Sequence, residues 1–226
     1  MNKINCMYDI IKPDWPAPYR EIWELQKSIF NGLVDLKRRG ERIDRETIIL
    51  VEHQPVITLG KHGKSENLLL SEASLAMRGI ECIRIERGGD ITYHGPGQLV
   101  VYPIIDLEKH HLGVKNYVHI LEEAVIRTIA DYGIKGERVE GASGVWIDAG
   151  TEEERKICAL GVKCSRFITM HGLALNVNTD LDAFKVINPC GFIDKGVTSI
   201  SREIGYDVNL NQVGDKLLSH LKQLLN

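Results

Sequence analysis

The sequence predicts an α+β or mixed-sheet fold in one domain spanning residues 1–226. Helix-period and strand-period segments intersperse without a regular strand–helix–strand repeat. The 226 residues suit one sizeable core. No internal repeat, low-complexity tract or linker divides them.

The opening segment carries Pro13, Pro16 and Pro18 and reads as extended. From Tyr19 to about Arg39 the spacing of Ile22, Leu25, Ile29, Leu33 and Leu36 predicts a helix, with Gly40 as its stop. Thr47 to Val51 is a short apolar run and reads as a buried strand. Strand character resumes from Val56 to Leu59 and ends at Gly60. A second helix is predicted from Ser71 to Arg78, with Ser71 as N-cap and Gly79 past its end. Ile80 to Glu86 alternate as a strand. Leu99 to Ile105 form another, and Pro103 places its end near a sheet edge. Val114 to Tyr132 is an amphipathic helix with Val118, Leu121, Val125 and Ile129 on one face. Gly144–Ile147 and Lys156–Val162 read as strands around an acidic turn at 151–154. Thr169 to Val177 reads as a strand and Leu181 to Val186 as a helical turn. The last helix starts near Asn209 and buries Val213, Leu217, Leu221 and Leu224.

Composition excludes several functions. The formal charge is −3 with 26% charged and 43% hydrophobic residues, so a general nucleic-acid binder is not expected. The basic run Lys37-Arg38-Arg39 reads as a solvated helix end. The five cysteines, Cys6, Cys82, Cys158, Cys164 and Cys190, are odd in number, irregularly spaced and without a CxxC pair. Neither a disulfide framework nor a zinc site fits. The first 15 residues lack the apolar core of a signal peptide, and no apolar run is long enough to span a membrane. A cytosolic protein is expected.

Four segments carry polar chemistry. Arg87 to Gln98 surrounds Arg87, Asp90, His94 and Gln98 with glycines and a proline, which suits close backbone approach to a ligand. It reads equally as a structural turn between two strands, and matches neither a P-loop nor GxGxxG. Arg155 to Lys163 places two lysines among apolar residues. In a regular strand Lys156 and Lys163 face opposite sides, so one alone enters a given pocket, unless both ammonium groups reach solvent. Thr169 to Asn176 has small residues at Gly172 and Ala174, which admit either an alkyl chain or a closely packed neighbour. His171 reads as an acid, a base or an ordinary hydrogen-bonded histidine. In Ile187-Asn188-Pro189-Cys190-Gly191 the cysteine sits between proline and glycine, a setting that suits a reactive thiol better than a packed one. The other cysteines have ordinary or apolar surroundings. The eight histidines show no HxH or HExxH spacing.

Together these segments resemble the lipoyl(octanoyl) transferase family, also called the lipoate–protein ligase B family. The resemblance rests on Tyr19 with Trp23 and Gln26, EHQP from Glu52 through Thr58-Leu59-Gly60, RGGDITYHGPGQ from Arg87, KICALGVK from Lys156, HGLALNVNTDL from His171 and INPCG from Ile187. It implies a mixed β-sheet flanked by helices, as in biotin and lipoate ligases. It implies Cys190 as the acyl-thioester nucleophile and Lys156, rather than Lys163, as the lysine that lowers its pKa. It further implies substrate binding by Arg87, Gly88, Gly89, Asp90, Ile91, Thr92, Tyr93 and His94, by Ala159, Leu160 and Gly161, and by Gly172, Leu173 and Ala174. The implied donor is octanoyl-acyl carrier protein. The implied acceptors are lipoyl domains of 2-oxoacid dehydrogenase complexes and the glycine cleavage H protein. Because the donor is already activated, no nucleotide, metal or other cofactor is implied. Lys61, Lys64, Arg84 and Arg87 are candidates for attracting an acidic carrier.

Overall fold

The computed structural model describes residues 7–188 and 196–226. The elements run β1 (Met7–Ile11), α1 (Tyr19–Arg38), β2 (Arg45–Val51), β3 (Val56–Leu59), α2 (Glu72–Met77), β4 (Glu81–Arg84), β5 (Ile91–His94) and β6 (Gln98–Ile104). They continue α3 (Val114–Ala130), β7 (Glu137–Val139), β8 (Ala142–Ile147), β9 (Arg155–Ser165), β10 (Ile168–Asn176), a 3₁₀ turn (Leu181–Val186), β11 (Gly196–Val197), α4 (Ile200–Ile204) and α5 (Leu210–Leu225). Among the described residues the large sheet has the order β1-β2-β6-β10-β9-β8-β7, with β11 beside β9. Its pairs are parallel at β1–β2 and β11–β9 and antiparallel elsewhere. A small sheet, β4-β3-β5, is also mixed. The expected mixed sheet with flanking helices is what forms.

Both faces of the large sheet are covered. α3 and α5 bury Leu121, Val125, Ile129, Val213, Leu217 and Leu221 against Ile48, Leu50, Leu99 and Val101. The last buried leucine of α5 is Leu225, with Leu224 only partly covered. α1 packs on the opposite face, where Ile22, Phe30 and Val34 meet Val100, Tyr102 and Ala174. Its fully buried line is Ile22, Gln26, Phe30 and Val34, and the predicted Leu25, Ile29, Leu33 and Leu36 flank it partly buried. Gly40 ends this helix at φ +70°, where its N–H and that of Glu41 satisfy Lys37 O and Leu36 O. Ser71 caps α2 by accepting from Ser74 N at 3.2 Å.

Two sequence expectations are corrected. β6 is central, not an edge: Ile48 pairs with Pro103 on one side, while β10 lies on the other. Pro103 is tolerated because the β6–β10 ladder is interrupted beside it. Regular pairing stops at Leu173–Val101, and His171 follows at φ +63°. Thr169 Oγ1 donates to Pro103 O at 2.8 Å across the gap. The glycine-rich stretch after Arg87 is not one loop either. It contains β5, paired antiparallel with β3 from Val56–His94 to Leu59–Ile91.

Candidate functional site

The two sheets enclose a cavity of about 500 Å³. Its floor is the middle of β9 and β10, where Ala159 pairs with Ala174 and Gly161 with Gly172. Small residues facing each other across a ladder leave a trough that larger side chains would fill. Gly172 also serves the sheet itself, since a Cβ there would lie 2.1 Å from Val101 O. Leu160 and Leu173 complete this stretch of the lining.

The loop before β5 and β5 itself form the roof. Arg87, Gly88, Gly89, Asp90, Ile91, Thr92 and His94 all line the cavity. Tyr93 is not among the lining residues, and its ring packs edge-on against Phe184 at 5.5 Å. Arg87 is buried, so it is no surface attractant for a carrier. Its Nη2 donates to Thr58 O at 2.8 Å and to Thr58 Oγ1 at 3.0 Å. Gly88 N donates to Val162 O at 3.0 Å, tying the roof to the floor.

Lys156 reaches the cavity because β9 is irregular. Val145 pairs with Cys158, yet Trp146 pairs with Lys156, so the register slips by one at Ile157. A one-residue slip turns every later side chain to the other face. Lys156 thereby joins Ala159 and Gly161 on the cavity side, and Lys163 lies on that same face rather than opposite. The two lysines still differ. Lys156 Nζ sits 4.3 Å from the Trp146 ring centroid and donates to Ser143 O at 3.3 Å. Lys163 Nζ is held by Glu86 at 3.0 Å, over Phe30, and does not line the cavity. The Lys156 stem passes Gly144, where a Cβ would lie 3.2 Å from Lys156 Cε and the φ of +134° favours glycine.

Cys190 lies outside the described residues. The chain on each side of it reaches the cavity, since Phe184 and Val197 both line it. Asn188 N donates to Asn67 O at 2.7 Å, and Gly196–Val197 pair with Arg155–Lys156.

The lipoyl protein ligase A/B catalytic domain matches residues 18–222 of this sequence. The chain belongs to that family. An octanoyltransferase of Bacteroides thetaiotaomicron is 53% identical over 214 residues, covering 94% of each chain. One from Flavobacterium johnsoniae is 48% identical, covering 99% of this chain and 97% of its own. A bi-partite lipoate protein ligase from Thermoplasma acidophilum superposes with a TM-score of 0.69 at 18% identity, covering 97% of this chain and 83% of that one. A lipoate-protein ligase A solved with ATP gives 0.69 at 16%, covering 97% and 85%. These two likenesses concern the fold.

In this lipoyl ligase A/B domain the described cysteines are poorly placed to ionise. Burial pushes the Cys158 thiol well up, and burial also raises Cys82 and Cys164. The cavity histidines are held neutral. Burial lowers His94 and His171 to about 3, and burial lowers nearby His53 to about 4. His94 Nδ1 is 2.7 Å from Gln98 Oε1, and Gln98 Nε2 donates to Asn176 Oδ1 at 2.9 Å. Asn176 Nδ2 in turn donates to Thr198 O at 2.9 Å, so a buried amide chain links the roof to the residue that follows β11. His171 Nδ1 and Nε2 have no partner among the described residues.

Sequence reasoning did not single out Tyr102 or Ser143, and it met Tyr19, Thr58 and Asn176 only as members of the family motifs, with no role attached. What each of them touches depends on elements far apart in the chain. No three His, Cys, Asp or Glu side chains among the described residues could hold a metal ion. No helix among them is long and apolar enough to cross a membrane.

Proposed function

We propose that this chain is an octanoyltransferase of lipoate biosynthesis, acting as a single cytosolic catalytic domain with a Cys190–Lys156 pair. The observation that carries the reading is the trough of Ala159, Ala174, Gly161 and Gly172, with Lys156 at one end. An apolar chain fits such a floor, and each buried CH₂ contributes about 0.8 kcal/mol, so an octanoyl tail supplies roughly 5 kcal/mol. The residues around the trough, Arg87 to Thr92 with His94, Leu160 and Leu173, would bind the substrate.

In the first step the Cys190 thiolate attacks the carbonyl carbon of octanoyl-acyl carrier protein. The new C–S bond forms as the carrier's sulfur leaves and takes a proton from the Lys156 ammonium, so one thioester replaces another with little loss of energy and Lys156 is left as a neutral amine. The ammonium of Lys156 favours the attacking thiolate. In the second step the ε-amine of a lysine on a lipoyl domain attacks the acyl-enzyme. An amide forms, the Cys190 sulfur departs, and neutral Lys156 accepts the amine's proton. Acceptors would be lipoyl domains of 2-oxoacid dehydrogenase complexes and the glycine cleavage H protein.

Intact-mass measurement after mixing the protein with octanoyl-carrier tests this. The expected result is one octanoyl adduct on wild type, discharged by a lipoyl domain, and no thioester adduct on Cys190→Ala. Octanoyl transfer by Cys190→Ala at the wild-type rate, or transfer that requires ATP and free acid, sinks the covalent reading.

A further inference from the structure

Thr58 does not line the cavity, yet it holds the wall that closes one end of it. This side chain is fully buried in β3. Its Oγ1 accepts from Arg87 Nη2 at 3.0 Å and from Arg87 Nε at 3.3 Å, and its carbonyl accepts from Nη2 at 2.8 Å. Arg87 Nη1 bonds Gly88 O at 3.0 Å. That same carbonyl and the Arg87 stem press on the floor: a Cβ at Gly161 would lie 2.7 Å from Gly88 O and 3.1 Å from Arg87 Cδ. The trough that starts at Lys156 is therefore blocked above Gly161 by the Arg87–Gly88 unit.

The length of this trough is informative. Lys156 and Gly161 are separated by five positions, one of them taken up by the slip at Ile157. Four regular steps at about 3.3 Å give about 13 Å. An extended octanoyl chain has seven C–C bonds of about 1.5 Å, which zigzag over about 9 Å. The difference accommodates the reacting thioester beside Lys156. An eight-carbon tail laid along β9 then ends beneath Arg87, and a longer tail on that line meets the wall, the rest of the cavity lying across β10 toward Val100 and Tyr102.

We propose that Thr58 is a positioning residue that sets acyl-chain length by pinning Arg87 over Gly161. The proposal rests on the octanoyltransferase reading and adds to it a determinant on a strand outside the cavity. Thr58→Val keeps the shape of the side chain, removes the Oγ1 acceptor and leaves the carbonyl bond. Arg87 loses its hold on Nε, and the wall yields to longer chains. Thr58→Ser keeps the hydroxyl and should restore the original selectivity.

The experiment compares kcat/KM for octanoyl-, decanoyl- and dodecanoyl-carrier in wild type, Thr58→Val and Thr58→Ser. Wild type should discriminate against each lengthening by about tenfold or more, the scale a tight apolar site applies to a surplus methylene. The dodecanoyl-to-octanoyl ratio should rise about tenfold in Thr58→Val and stay at the wild-type value in Thr58→Ser. A simple loss of packing would lower all three substrates together and leave the ratio unmoved, which overturns the proposal. A flat wild-type profile from eight to twelve carbons also overturns it, and needs no folded variant. Wild type that transfers no octanoyl group overturns the functional reading itself, whereas transfer with an unmoved ratio overturns this inference alone.

Discussion

Lowering the pH from 7.5 to 5.5 should cost this fold about 4 kcal/mol, through three buried histidines. Burial holds His53 near a pKa of about 4 and His94 and His171 near about 3. In the unfolded chain each returns to about 6.5. A depressed folded pKa means that the stability present above pH 6.5 is lost as pH falls, because the unfolded state binds the proton first. At pH 5.5 the unfolded histidine is about 90% protonated and the folded one hardly at all, which amounts to about 1.4 kcal/mol each. One group opposes this. Burial lowers His110, but its hydrogen bond to Glu46 and that carboxylate's charge outweigh burial and raise it, so it gains stability over the same range. Burial raises the Glu86 carboxyl, but its bond to Lys163 outweighs this, and the bond to Arg155 lowers Glu203 against burial, so both titrate below the window. Urea denaturation at the two pH values measures the difference, and proton uptake on unfolding at pH 5.5 should be between about 2 and 3. Equal stability within about 1 kcal/mol, with no proton uptake, would refute the assignment of three neutral buried histidines. The same neutrality bears on function, since no neutral imidazole supplies the positive charge that a thiolate needs near pH 6.5.

Lys156→Met should slow iodoacetamide alkylation of Cys190 at pH 6.5. If Lys156 holds the thiol near pKa 6.5 rather than about 8.5, the thiolate fraction falls about 50-fold on substitution. The less acidic thiolate is about eightfold more nucleophilic, leaving a net slowing of about sixfold. Identical pH profiles in both proteins would remove Lys156 from the tuning role. Lys163→Met, which breaks the Glu86 pair outside the cavity, should leave that profile in place. Gly172→Ala should destabilise the protein by about 1–3 kcal/mol or more, because its Cβ would meet Val101 O at 2.1 Å. Thermal denaturation reads this directly, and an unchanged midpoint would show that β6 and β10 separate easily there.

Elements whose information is local are legible along the chain. α1, α3 and α5 follow from apolar spacing and β2 from a continuous apolar run. Ser71, Gly40 and Gly79 mark helix ends because caps are satisfied within a turn of the chain. Five ordered motifs were enough to place the chain in its family. Tertiary structure decided what depends on strand partners. Pro103 reads as an edge residue, yet sits in a central strand because the gap beside His171 removes the need for its missing N–H. Lys156 reads as facing away from Lys163, yet shares its face because one residue of slip at Ile157 inverts the alternation. β5 was hidden in a glycine-rich stretch because its pairing partner, β3, lies more than thirty residues upstream. Arg87 reads as a surface cation, and only the approach of Thr58 from that same strand turns it inward as a wall. Spacing along a chain records which side a residue takes in a regular element. It does not record where a ladder slips, or which distant carbonyl and hydroxyl wait for a buried guanidinium.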